Sequence, residues 1–233
     1  MVKAKAPRNK TLELSPKEIA LYASKAVKLS QKSNLTDVIN RVIRQDSFKA
    51  LDLLPDGCID LMIVDPPYNL TKNFGKSTFK EMDFDAYKKW LDKWLKKTVR
   101  LLKDNASIYI CADWKTSICI PEAAGKYFIL RNRISWEREK GRGAKDNWKN
   151  CLEDIWFFTK GKDYTFNIDA VKVQRPVIAP YRNEKGEPKD WQEKGKQRFR
   201  LTHPSNIWTD ISIPFWSIPD TGSSNNKRFG FVP

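Results

Sequence analysis

The spacing of hydrophobic positions changes along the chain, and these changes predict its helices and strands. Ser15-Pro16-Lys17-Glu18 places a Ser cap before a first-turn Pro, with Glu three residues after the cap, which predicts the start of a helix. Apolar residues follow at helical spacing and predict a face that packs against the rest of the protein. Ile59–Val64 is instead almost continuously apolar, as expected for a strand buried on both faces of a parallel sheet.

Short strands and helices alternate through the middle of the chain. Val42-Ile43 predicts a short strand, and a helix is expected to begin after Asp46. Asp83 or Asp85 can cap a long helix with apolar residues at helical spacing. Later segments predict a short helix over residues 121–125 and strands over 107–112, 129–136 and 152–158. The alternation predicts an α/β fold, a sheet with helices on its faces.

Two segments are rich in basic residues. Residues 137–149 form a basic, glycine-containing loop between the last two predicted strands. Residues 171–200 hold nine Lys+Arg and four acidic residues, with Tyr181, Trp191 and Phe199 between them. Cations with spaced aromatic rings are typical of surfaces that bind a phosphate backbone and exposed bases, although a solvated loop has a similar composition.

The overall composition narrows the class of protein. The 233 residues include 43 Lys+Arg and 28 Asp+Glu, a net charge of +15 that suggests a polyanionic partner such as nucleic acid. No apolar run could span a membrane and no signal-peptide core follows the basic start, so we expect a cytoplasmic protein. The four cysteines lack close pairs and His203 is the sole histidine, which favours buried thiols over a metal site or disulfides.

The most specific motif is Asp65-Pro66-Pro67-Tyr68, which directly follows the predicted buried strand. Ligands bind at the carboxyl ends of strands in open α/β sheets. Two prolines stiffen this turn and remove two N–H donors, so its carbonyls can accept hydrogen bonds. Asp65 adds a carboxylate acceptor, and Tyr68 adds a flat aromatic face.

These groups suit the activation of an exocyclic amine on a heterocyclic base. Such a nitrogen is a poor nucleophile, because its lone pair is delocalised into the ring. Acceptors on both N–H groups draw it toward tetrahedral geometry and orient the lone pair, while a stacked ring fixes the plane of the base. A target base within a duplex must first be swung out of the helix.

Asp-Pro-Pro-Tyr-Asn-Leu after an apolar strand resembles the catalytic motif of the amino-group DNA methyltransferases, which act on adenine N6 or cytosine N4. The resemblance implies a Rossmann-like S-adenosylmethionine-dependent fold and duplex DNA as partner. It implies catalytic roles for Asp65, Pro66, Pro67 and Tyr68, and cofactor contacts for Asp46, Ser47 and Asp65. Other segments that look like the family are 107–114, 133–136, 154–157 and 205–208.

The resemblance also suggests the target and the surface that holds it. Asp at position 65 favours adenine N6 over cytosine N4, for which Ser is more usual, and argues against the related protein or RNA methylases. The implied function is site-specific methylation of adenine, as in a restriction-modification system, with no metal. The residues expected to contact DNA are Lys140, Arg142, Lys145, Arg198 and Arg200.

The resemblance divides the chain into an N-terminal arm and helix (1–34), a partial catalytic core (35–170), a basic target-recognition insert (171–219) and an aberrant tail (220–233). Enzymes with this motif order end with His-Pro-Thr and a Phe-x-Gly-x-Gly cofactor loop. This chain has neither, since Phe229-Gly230-Phe231 lacks the second glycine and a preceding strand. We therefore expect a fold that is C-terminally incomplete.

Codon arithmetic offers a cause for this departure. Serine codons TCA-TCC followed by AAC would read CAT-CCA-AC when shifted by one nucleotide, the start of His-Pro-Thr. A frameshift or broken gene is therefore our hypothesis for the tail. The alternative function is a DNA-binding protein without independent catalysis. It would be an inactive remnant or one half of a split enzyme whose second chain supplies the cofactor-binding segment.

Overall fold

A computed structural model of the chain describes residues 14–74, 77–142, 145–178, 181–194, 197–209 and 228–231. Its contacts form two compact units, one up to Pro55 and one from Asp56 onward. The first unit contains three helices: α1 (Pro16–Lys25), α2 (Leu35–Val38) and α3 (Ser47–Leu53). In the second unit, α4 (Phe84–Thr98) and α5 (Cys119–Ala124) pack on each other.

The first unit confirms the predicted start of α1. The Ser15 Oγ accepts a hydrogen bond from the Glu18 backbone at 3.3 Å, and the Glu18 carboxylate accepts one from the Ser15 backbone at 2.8 Å. The prediction that α1 packs through its apolar face is wrong, because no α1 residue is buried and Ile19 is 52 % exposed. The strand predicted at Val42-Ile43 is reduced to an isolated parallel bridge between Val27 and Ile43.

A six-stranded sheet organises the second unit, in the order β10-β5-β6-β4-β1-β11. Strand β1 lies parallel to both of its neighbours, whereas β6 runs antiparallel to β4 and β5, so the sheet is mixed. A hairpin of β2 and β3 and a three-stranded sheet, β7-β9-β8, lie outside it. The strands are β1 (Ile59–Val64), β2 (Lys72–Phe74), β3 (Ser77–Phe79), β4 (Leu102–Asp113), β5 (Ile129–Arg142), β6 (Asn150–Thr159), β7 (Val173–Pro176), β8 (Gln192–Lys194), β9 (Gln197–Thr202), β10 (Ile207–Trp208) and β11 (Arg228–Phe231).

The core follows from the two periodicities in the sequence. Strand β1 buries residues on both faces, as its near-continuous apolar run predicts. Helix α4 is amphipathic and buries Leu91 and Leu95 completely. Of the two possible caps, Asp83 is the one used, since its carboxylate accepts from the Ala86 backbone at 2.8 Å.

One face of the sheet carries an apolar cluster that lies close to the Asp-Pro-Pro-Tyr motif. Its buried members come from β1, β4, β5 and β6, and the half-buried ring of Tyr68 packs against them. They are Leu61, Tyr109, Cys111, Ile134, Ile155 and Phe157.

One further expectation changes in the structure. The segment 137–149 is not wholly a loop, because β5 continues to Arg142, which pairs with Asn150 of β6. Within the tail 220–233, the residues Arg228–Phe231 form β11, a strand parallel to β1 that includes Phe229-Gly230-Phe231 itself. The rest of the tail and residues 210–219 of the insert lie outside the described residues. Among the helices of the described ranges, none is long and apolar enough to cross a membrane.

Candidate active site

The motif lies at the carboxyl edge of the parallel part of the sheet. Strand β1 is flanked by β4 and β11, both parallel to it, so all three carboxyl ends meet at one edge. Asp65 follows the last residue of β1 and is exposed, whereas Pro66 is buried and Tyr68 is half-buried. The turn therefore presents a carboxylate to solvent while the next residue anchors it in the fold.

Hydrogen bonds hold the turn from two directions. The Asn69 amide donates to the Met82 carbonyl at 2.7 Å and accepts from the Met82 N–H at 2.8 Å. The Tyr87 hydroxyl donates to the Pro67 carbonyl at 3.0 Å. Among the hydrogen bonds of the described residues none is donated to the carbonyl of the buried Pro66.

Tyr68 stands between the apolar cluster and two carboxylates. Its hydroxyl donates to Glu153 Oε2 over a long 3.4 Å. Burial, reinforced by the nearby charges of Asp65 and Glu153, raises the pKa of the Tyr68 phenol above its ordinary value. The same causes raise the pKa of the Cys111 thiol to about 12. Tyr68 therefore remains a hydrogen-bond donor beside two carboxylates.

Glu153 reaches the site because β6 runs antiparallel to β4. In the strand register Asp113 at the end of β4 is paired with Glu153, and Trp136 of β5 is paired with Glu153 from the other side. The sequence analysis missed Glu153, Asn69 and Tyr87 as site residues. Two adjacent charged residues in the otherwise largely apolar strand, Glu153 and Asp154, were a signal for Glu153, whereas Tyr87 is indistinguishable in sequence from the other apolar-face residues of α4.

A second polar network joins the loop after β4 to β5 and β6. The Ser117 hydroxyl donates to Asp154 Oδ2 at 2.6 Å and accepts from the Trp156 indole N–H at 2.8 Å. Asp154 Oδ1 also accepts from Ser135 at 3.3 Å and lies 3.5 Å from Arg133 Nε. Because the Asp154 side chain is only 13 % exposed, this paired carboxylate stiffens the edge on which the motif lies.

The predicted cofactor residues, Asp46 and Ser47, belong to the first unit. Asp46 is the N-cap of α3, and its Oδ1 accepts from the Lys49 backbone at 3.0 Å. Capping thus occupies one oxygen of Asp46, and a carboxylate retains further acceptor capacity.

The residues expected to contact DNA lie in two places. Lys140 and Arg142 lie on β5 and Lys145 is exposed beyond its end, but the side chains of Lys140 and Arg142 are outside the described part of the chain. In the insert, the Arg198 guanidinium lies 5.6 Å from the ring centre of Trp191, and Arg200 pairs with Asp190 at 3.4 Å.

Trp191 is not available to stack on bases. It is 5 % exposed, and its indole N–H donates to the Tyr181 carbonyl at 2.8 Å. The Arg182 guanidinium lies 4.9 Å from the same ring. Trp191 is therefore the core of the insert, whereas Tyr181 remains 70 % exposed.

A cavity of about 950 Å³ opens between the cluster-bearing face of the sheet and the insert. Tyr109, Ile134 and Phe157 form its apolar floor. Its other walls include Arg131, whose guanidinium lies 4.5 Å from the ring centre of Tyr164. The residues of the Asp-Pro-Pro-Tyr motif do not line this cavity.

Comparison with known proteins agrees with the chemistry of the motif. Residues 59–230 match the N6/N4 DNA methylase family. The type II methyltransferase M.HpaI of Haemophilus parainfluenzae is 32 % identical over 173 residues, which are 72 % of this chain and 49 % of that relative. The DNA adenine methyltransferase YhdJ of Escherichia coli (strain K12) is 30 % identical over 176 residues, 72 % of this chain and 56 % of YhdJ.

A solved structure supports the fold. The PvuII DNA methyltransferase, described as cytosine-N4-specific, superposes with a TM-score of 0.51 at 16 % identity, covering 80 % of this chain and 60 % of that one. The chain spans about half the length of the curated relatives that it matches. With a family match from β1 to β11, the motif at its expected sheet edge and a methyltransferase fold, the chain belongs to the N6-adenine/N4-cytosine DNA methyltransferase family.

Proposed function

We propose that this chain carries the target-activating part of an enzyme that methylates adenine N6 within a specific duplex DNA sequence. The observation that carries the proposal is the turn at the carboxyl edge of β1, where Asp65 is exposed, Pro66 is buried and Tyr68 is held half-buried. The choice of adenine rests on Asp at position 65. A role in a restriction-modification system is proposed on the same footing, since M.HpaI is named as a type II methyltransferase.

The geometry supports a separate role for each of the motif residues. The Asp65 carboxylate and the Pro66 carbonyl would accept hydrogen bonds from the two N–H groups of the target amine. The ring of Tyr68 would stack on the extruded base. This arrangement localises the nitrogen lone pair and orients it for in-line attack. Because Asp65 is exposed, it can take up the proton that the nitrogen loses and pass it to water.

The residues present fit S-adenosylmethionine as the methyl donor. The carboxylates of Asp65 and Glu153 that raise the pKa of Tyr68 also create a negative potential, which favours a sulfonium cation. By sequence resemblance alone, Asp46, with Ser47 beside it, is proposed to accept from the adenine amino group of the cofactor. S-adenosylmethionine supplies a methyl group that its positive sulfur already activates, so no metal is needed.

Duplex DNA is the proposed partner. Extruding a base requires that the distorted duplex be held through its phosphates, and the net charge of +15 suits that task. Lys145 is exposed where it could contact a phosphate, and Arg200 is half-exposed in the insert. Phosphate contacts do not read the base sequence. Replacing Lys145 or Arg200 by Ala should therefore weaken binding to all DNA sequences by a similar factor.

The test is product analysis with and without the motif carboxylate. The protein is incubated with labelled S-adenosylmethionine and unmethylated plasmid DNA, which is then digested to nucleosides for mass spectrometry. We expect N6-methyladenine. Asp65→Ala should lower the rate by about a hundredfold or more and leave duplex binding within a few-fold. Asp163→Ala, which removes an exposed acidic residue outside the site, is the matched control.

Two results would overturn the proposal. N4-methylcytosine as the product would contradict the choice of adenine. A methylation rate unchanged by Asp65→Ala would show that the turn is only structural.

The cavity favours a second candidate, a DNA-binding protein that is an inactive remnant or one half of a split methyltransferase. Its apolar floor would suit a further polypeptide segment, because sheets with parallel strands are normally covered on both faces. In that case a second chain would supply the cofactor-binding segment. Calorimetry of the chain alone with S-adenosylmethionine separates the candidates. Micromolar affinity would contradict the split or remnant form, and retained DNA binding without S-adenosylmethionine binding would support it.

A further inference from the structure

We propose that Tyr87 and Asn69 are positioning residues for methyl transfer, acting through the backbone of the motif without touching substrate. This inference rests on the proposed function. Both side chains are polar and almost completely buried, at 0 % and 1 % exposure. The Tyr87 hydroxyl, which also interacts with the Thr116 side chain, donates to the Pro67 carbonyl, and the Asn69 amide pairs with the backbone of Met82.

The two prolines explain why the turn needs such support. Neither Pro66 nor Pro67 has an N–H, so neither residue can be fixed by a main-chain hydrogen bond that it donates itself. The peptide planes on either side of Pro67 are related only by its φ, which the ring fixes, and its ψ. A hydrogen bond to the Pro67 carbonyl holds the second plane. Only one soft torsion then remains between it and the plane that carries the Pro66 carbonyl.

Asn69 secures the other side of Tyr68. Its amide makes paired hydrogen bonds of 2.7 and 2.8 Å with the Met82 backbone, just before the Asp83 cap of α4. Tyr68 thus lies between two residues anchored to α4 or to the chain that leads into it. The direction of its ring, on which the base would stack, is set by these anchors together with the apolar cluster.

Packing of the Tyr87 ring does not require its hydroxyl. Its ring stacks on Trp90 with centroids 5.7 Å apart, a contact that a Phe ring would also make. Burial, with the nearby Asp113 carboxylate, raises the pKa of the Tyr87 hydroxyl. The group therefore remains a donor across the neutral range. Its loss would leave the Pro67 carbonyl without that donor and free the torsion that places the Pro66 carbonyl.

The experiment uses Tyr87→Phe, with Tyr127→Phe as the matched control. The Tyr127 hydroxyl donates at 3.1 Å to Asp92, away from the motif. Hydrogen exchange is followed at residues 68–70, where the Leu70 N–H donates to the Tyr68 carbonyl at 2.6 Å. We expect about tenfold faster exchange there in Tyr87→Phe, with α4 amides unchanged, and wild-type exchange in the control.

Kinetics provide the second readout. In Tyr87→Phe, kcat should fall about tenfold to a hundredfold while KM for DNA changes less than twofold, because geometry is lost rather than binding. If Tyr87→Phe does not fold, Asn69→Asp, which keeps an acceptor and removes the donor, is expected to give the same pattern.

The two readouts separate this inference from the proposed function. Unchanged exchange at residues 68–70, or an unchanged kcat, would overturn the positioning role. Faster exchange in α4 as well would also overturn it, since that result indicates a general loss of packing. A wild-type protein that folds and binds both S-adenosylmethionine and duplex DNA but methylates no DNA overturns the proposed function, and the exchange measurement still decides whether Tyr87 holds the turn.

Discussion

Truncation of Trp191 should unfold the insert while the catalytic sheet stays intact. Among the side chains that the structure describes between residues 172 and 209, which exclude those of 193–197, Trp191 is the only buried one. The three short strands β7, β8 and β9 therefore depend on this one indole ring for their core. Trp191→Ala is the perturbation that tests this dependence.

The stability that the insert loses in Trp191→Ala follows from the contacts of the indole ring. A buried Trp covers about 200 Å² of apolar surface, worth about 5 kcal/mol at 25 cal/mol per Å². The hydrogen bond to the Tyr181 carbonyl adds about 1 kcal/mol, and the contacts with Arg182 and Arg198 add about 0.5–1 kcal/mol each. Because neighbouring residues would partly collapse into the space left by the ring, the net loss of stability is expected to be smaller, about 3–5 kcal/mol. A small three-stranded sheet is expected to have no larger local stability than that.

The assay is hydrogen exchange of β7 and β9, paired with duplex binding by fluorescence anisotropy. In Trp191→Ala these amides should exchange as in an unfolded chain, amides of β4 and β6 should keep their protection, and DNA affinity should fall. Trp148→Ala is the folding control, since Trp148 is 92 % exposed. Wild-type protection of β7 and β9 in Trp191→Ala would refute the reasoning that one ring holds the insert.

Two further predictions concern the catalytic unit. Leu95→Ala on α4 removes a completely buried side chain and should lower the free energy of unfolding by about 2–5 kcal/mol in urea titrations, and a loss below 1 kcal/mol would contradict its place in the core. With a thiol reagent at pH 8, Cys151 should react first, because it is only partly buried, while Cys111, whose pKa is raised to about 12, should react orders of magnitude more slowly. Persistence of the fast phase in Cys151→Ser would show that this assignment is wrong.

Several elements were determined by the sequence alone, because their causes are local. The boundaries of β1 coincide with the apolar run Ile59–Val64, since strand burial on both faces needs no partner to be recognised. The start of α1 after Ser15 follows from a cap whose partner lies within three residues, whereas the sequence left Asp83 and Asp85 as alternative caps of α4 and the structure uses Asp83. The place of the Asp-Pro-Pro-Tyr turn at a strand end was predictable for the same reason.

Tertiary structure alone decided which residues surround that turn. The antiparallel direction of β6 brings Glu153 to Tyr68 across a sequence separation of 85 residues, and α4 brings the Tyr87 hydroxyl to Pro67 across 20. The local pattern of α1 predicted a packed apolar face, whereas the helix is exposed. The burial of Trp191 is not indicated by the residues around it in the sequence. Periodicity and capping are set by neighbours along the chain, whereas strand direction, register and the contacts between elements depend on how distant segments pack. The motif that we propose to activate the target could therefore be recognised in the sequence, whereas the residues that contact it from distant segments could not.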